Sequence, residues 1–176
     1  KISACIFLSA CSSFSTVTRS DQSSFYDQSL VIYIASQGKF PVVVAGNPFS
    51  PQHDIRSLVS GLRLPGFYPQ VQLEQAKTLE RGDGYMVLIF DPSARVVNRN
   101  DFCIGTREQT LLSYQREEKV LRVQAALCIG EHVASQSYIE MSRPDSPVDA
   151  SFRREMVGLF NVLLPTRSLH HGADVD

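Results

Sequence analysis

Apolar and polar positions alternate most clearly over residues 119–129. Leu121, Val123, Ala125, Leu127 and Ile129 recur at every second place, the period of a strand with one buried face. Gly130-Glu131 follows as a two-residue turn of the Gly-X kind, in which glycine takes a positive φ at no steric cost. Residues 132–141 then run back as the partner strand, with Cys128 opposite Val133. Two uniformly apolar runs, 40–45 and 85–90, are read as buried strands, the second of them central. Pro41 lacks a ladder donor, so the first belongs at a strand start or on a sheet edge. Residues 70–74 alternate and predict one more strand with a wet face.

Helical spacing governs three other stretches. Tyr26, Leu30, Tyr33 and Ile34 fall at i, i+4, i+7 and i+8, with Gly38 just past the end. Helix is the reading adopted there; a strand hairpinned through residues 36–39 is its rival. Ile55, Leu58, Val59 and Leu62 form a second stripe, for which Ser50 is the expected cap and Pro51 the first helical residue. Phe152, Met156, Leu159, Phe160 and Leu163 form the third, starting near residues 147–150 and stopped by Pro165. This order predicts an α+β two-layer sandwich. Its mainly antiparallel sheet would have four to five strands, with about three helices on one face. The opposite face carries Arg122, Gln124, Ala126, Ser135 and Ser137 and is expected to be wet.

Composition adds bounds. A chain of 176 residues with 43% hydrophobic and 20% charged residues can bury a core within one domain. A net charge of -1 and the lack of tryptophan argue against nucleic acid as a partner, since phosphate needs a basic surface and bases need stacking platforms. No apolar run reaches the roughly 20 residues of a membrane-spanning helix.

The first eleven residues are more specific. Lys1 is followed by a short apolar run and then by small residues, ending in Leu8-Ser9-Ala10-Cys11. The run has the form of the end of a secretory signal with a truncated n-region. Leu8-Ser9-Ala10-Cys11 resembles the lipobox of bacterial lipoprotein precursors. The resemblance covers only these residues, and the globular part is not recognised from the sequence. It implies that residues 1–10 are a signal-peptide remnant and that Cys11 carries lipid, making a membrane the first partner. It also implies a location on the periplasmic side of the cell envelope. Ser12, where enteric lipoproteins held at the inner membrane have Asp, points to the outer membrane. Residues 11–24, rich in serine and threonine, are expected to form a flexible tether. Residues 25–165 would be the single α+β domain and residues 166–176 a disordered tail.

Cys5 falls in the signal remnant and Cys11 is assigned to lipid, which leaves Cys103 and Cys128. An even pair in an exported chain is read as a disulfide, with inert thiols and metal ligation as the alternatives. The bridge would pin residues 94–118, a polar excursion with a short apolar insert around Cys103, to the long strand.

Candidate chemistry is sparse. Cys128 and His132 project to opposite faces of the hairpin, so they do not make a nucleophile and base. Asn47, Ser50 and His53 are the candidate binding residues, around a loop that could meet an anion but lacks the glycines of a phosphate cradle. His170 and His171 with Asp174 and Asp176 lie in the tail and make a poor metal site. No catalytic residue, metal or cofactor is assigned. The function expected is a non-enzymatic interaction or assembly module with an envelope protein as partner. A small-molecule or peptide-binding lipoprotein is the first alternative, with its ligand between the sheet and residues 94–118. An envelope hydrolase is the second. An assembly role would need an open edge strand, at 40–45 or, if that strand is central, at 70–74.

Overall fold

The computed structural model describes residues 15–76, 79, 82–92, 102–103 and 117–166. Among them are six strands and three helices. In chain order they are β1 (Ser15–Gln22), α1 (Gln28–Ser36), β2 (Lys39–Ala45), α2 (Ile55–Ser60), β3 (Gln72–Gln75), β4 (Gly84–Phe90), β5 (Val120–Ile129), β6 (His132–Ser142) and α3 (Ala150–Leu163). The strands make one sheet in the order β1-β6-β5-β4-β2-β3, and the fold is α+β. The pairings from β1 through β4 are antiparallel. β2 is parallel to both β4 and β3, so the sheet is mixed where antiparallel connections were expected. α2 lies between β2 and β3 in the chain, and a helical crossover between neighbouring strands leaves them parallel.

The β5–β6 hairpin turns at Gly130, whose φ is +58°, with Cys128 opposite Val133. The register then shifts, and Leu127 pairs with Ser135, so Ala134 is an extra residue. One inserted residue exchanges the faces of everything beyond it. Ser135 and Ser137, expected on the wet face, therefore lie on the helix side, where Ser135 Oγ donates to Leu163 O at 2.6 Å.

On that side α1, α2 and α3 bury Val31, Ile34, Leu58, Phe152, Leu159 and Phe160 against Val42, Met86, Leu88, Val123 and Ala125. The opposite face is wet only in part: Lys39, Gln72 and Glu74 are exposed towards the β3 edge, but the centre is dry. Val87, Ile89, Ala126, Cys128 and Val133 form a second apolar cluster with Phe102 and Cys103, and Gln124, Gln136 and Tyr138 are also buried.

Two further boundaries differ from expectation. Ser15–Gln22, placed in the tether by composition, is an edge strand paired with β6 from Met141 to Ser135. Ladder bonds are carried by the backbone, so a polar segment beside an unpaired strand can join it without apolar side chains. Gln136 Nε2 reinforces the pairing by donating to Asp21 Oδ2 at 3.0 Å. Second, α2 is capped by Asp54, which accepts from Ser57 N at 2.7 Å, and not by Ser50. Phe49 is buried edge-on to Phe152 with ring centroids 5.2 Å apart, and residues 48–52 run in turns until Asp54 can start the helix. The signal remnant, Cys11, the tail from residue 167 and most of residues 94–118 lie outside the described residues.

Candidate functional site

The sequence-derived residues separate into three places. Cys103 and Cys128 are joined, with Sγ atoms 2.01 Å and Cα atoms 5.8 Å apart, inside the span that a bridge requires. Both are buried beside Phe102, and the single Tyr85 hydroxyl proton is shared between Cys103 O at 2.9 Å and Gly130 O at 3.1 Å. The apolar insert thus docks through Phe102 and a hydrogen bond as well as through sulfur. With its thiol consumed, Cys128 has no nucleophile to offer.

Asn47, Ser50 and His53 do share one loop, but their polar groups serve the loop itself. Asn47 Oδ1 accepts from Phe49 N at 3.0 Å, and its Nδ2 donates to His53 O at 2.8 Å. The His53 ring stands edge-on to Phe49, and Ser50 is exposed. The geometry fits a loop closure. It does not converge donors on a ligand.

A charged cluster that the sequence reading missed closes the carboxyl end of β4. Arg143 Nη2 donates to both Asp91 oxygens at 2.8 and 2.7 Å, and to Val120 O at 2.9 Å, while its Nε donates to Glu117 O at 2.6 Å. The pair is nearly withdrawn from water, at 9% and 8% side-chain exposure. Asp91 sits at φ +49°, a conformation aspartate tolerates better than most residues. Beside it Arg122 pairs with Glu117 and Glu140, and Glu140 accepts from Tyr138 Oη at 2.7 Å. Every carboxylate named here faces a guanidinium, so the cluster clamps three strand ends. The only hint in the sequence is an Asp-Pro directly after the central strand.

The third place is the outer edge of β3. β2 is internal, so of the two expected edge candidates the second is the sheet edge among the described residues. Ala76 N donates to Val42 O at 2.8 Å. Donors alternate in direction along a strand, so the N–H groups of Leu73 and Gln75 point away from β2. Two clefts run along this edge. One is lined by Ser60, Arg63, Gln70, Val71 and Gln72, the other by Arg56, Ser60 and residues 72–75. A third continues from Ser60 and Arg63 to Arg153 on α3. Arg56, Arg63 and Arg153 are exposed and meet no carboxylate among the described residues. Glu74 is neutralised by Lys39 at 2.7 Å. Arg63 Nη1 donates to Ser60 O and Leu62 O, which fixes its guanidinium over the end of α2. Arg56 lies on α2 and Arg63 three residues past its end, and neither their approach to each other nor the position of β3 beside them was legible in the sequence.

Compared with protein-family models, with curated proteins and with solved structures, the chain matches none.

Proposed function

We propose that this protein is a bacterial envelope lipoprotein, held to a membrane through lipid on Cys11, whose α+β domain is a non-enzymatic interaction module. The observation that carries this reading is Leu8-Ser9-Ala10-Cys11, directly after a short apolar run and four residues ahead of a disulfide-containing domain. A disulfide suits an exported chain, and the outer edge of β3, unpaired among the described residues and beside a basic cleft, suits recognition of another chain. With β1 starting at Ser15, the chain from Cys11 spans at most about 14 Å. A lipid on Cys11 would then hold the first residues of β1 close to the bilayer, with little leash between.

The test is phase partitioning of protein expressed in a bacterium behind a complete signal. The native chain should enter the detergent phase with the mass of a lipid-modified Cys11, and Cys11→Ala should remain aqueous or unprocessed. An intact mass without lipid in the native host would end the proposal.

A further inference from the structure

Given an interaction module, the remaining question is what it takes and where. We infer that the outer edge of β3 accepts an extended segment of a partner protein that carries acidic side chains at alternate positions. The inference rests on the interaction reading above and goes beyond it by naming the surface and the chemistry of the partner.

Two independent features meet at this edge. The first is backbone polarity. The N–H groups of Leu73 and Gln75 point outward, so a strand laid beside β3 finds hydrogen-bonding groups of the sheet ladder already in place. The second is charge. The clefts flanking the edge on the helix side are lined by Arg56 and Arg63, and the adjoining cleft by Arg153. Of the acidic groups nearby, Glu74 is paired with Lys39, and Asp54 accepts from the amide of Ser57 and offsets part of the charge of Arg56, which leaves Arg63 and Arg153 to supply the excess positive charge. In an added strand every second side chain turns to the helix side, and those are the side chains that approach Arg56 and Arg63. Acidic residues at that spacing complete the site; basic ones are repelled by it. Leu73 turns inward to the core, while Gln72 and Glu74 stay exposed on the far side. The face that selects is therefore the arginine side.

The test uses the full chain with Cys11→Ser in solution. The probe is a synthetic acetyl-(Thr-Glu)4-amide peptide, with acetyl-(Thr-Lys)4-amide as control. Amide NMR shifts report the binding. The acidic peptide should shift Val71, Leu73 and Gln75 in a saturable way, and the basic peptide should not. Gln75→Pro removes an outward N–H without touching a bond to β2, and should weaken binding at least tenfold while the remaining spectrum is unchanged. Arg56→Glu combined with Arg63→Glu should abolish it. Equal binding by both peptides, or binding that survives both variants, overturns the inference. So does a concentration-dependent shift of β3 amides without peptide, which would make a second copy the occupant. Binding of phosphatidylglycerol vesicles through the two arginines, with no response to peptide, also overturns it. Failure here leaves the lipid anchor untouched, because partitioning reads Cys11 separately. A partner cross-linked at another surface would keep the interaction reading and discard this edge.

Discussion

The two faces of the sheet are held by different physics. On the helix side, three amphipathic helices bury leucine, phenylalanine and methionine side chains against the strands, and many small dispersion and hydrophobic gains add up. On the other side the apolar cluster is smaller and is tied by a disulfide, and a buried ion pair clamps the strand ends at the margin of the sheet. A distributed core loses a fraction of its stability when one side chain is cut. A face tied by a few strong links fails at a link. Four experiments test this difference between the faces.

The largest effect is expected at the ion pair. Asp91→Asn keeps a residue that tolerates positive φ but leaves the Arg143 guanidinium buried without its counter-charge, which should cost about 3 kcal/mol or more. Asp91→Asn with Arg143→Met should recover much of that loss, because the stranded charge is gone. Urea midpoints give both numbers. If the double variant is as unstable as the single, the pair stabilises by more than mutual neutralisation.

Next comes the disulfide. Cys103→Ser should lower stability by about 3 kcal/mol, the loop-closure value for a loop of some 25 residues. Dithiothreitol should cost the native protein the same amount and leave the variant unchanged. A much smaller loss would mean that Phe102 and the Tyr85 hydrogen bond hold Cys103 in place without the covalent link.

The third effect belongs to the helix side and to acid. Hydrogen bonds from Ser151, side chain first and backbone second, hold the Asp149 carboxyl below the usual carboxylate range; Ser57 does the same for Asp54. A depressed folded pKa contributes stability above the unfolded value, near pH 4, and that contribution disappears as pH falls through the folded value. Asp149→Asn still caps a helix but cannot titrate. The native protein should therefore lose its advantage over the variant only on acidification, seen as converging thermal midpoints. A constant difference across pH would refute the assignment.

The smallest effect has the opposite sign. Ser137 Oγ is buried on the helix side with no hydrogen-bond partner among the described residues. Ser137→Ala removes an unsatisfied hydroxyl and should raise stability by up to about 1 kcal/mol. A loss would reveal a partner for the hydroxyl in solution.

The periods of the chain were sufficient for most elements. The five apolar residues of α3 between Phe152 and Leu163 are all buried, the run before Asp91 is the central strand β4, and Cys128 does face Val133 across a tight glycine turn. These are local properties: side-chain spacing, a positive φ, and a cysteine pair with no other use. The α+β class and the disulfide pairing follow from them. The tertiary structure alone decided the rest. Ser15–Gln22 became a strand because β6 offered an unpaired edge, which no apolar pattern in that segment announces. Ala134, one extra residue, moved Ser135 and Ser137 into the helix-side core, and a pairing shift leaves no mark on the strand that carries it. Arg143 met Asp91 across 52 residues, and Arg56 and Arg63 met the edge of β3 only once the crossover through α2 set that strand parallel. Burial and charge pairing depend on which distant segments become neighbours, and that is settled when the whole sheet closes its ladder.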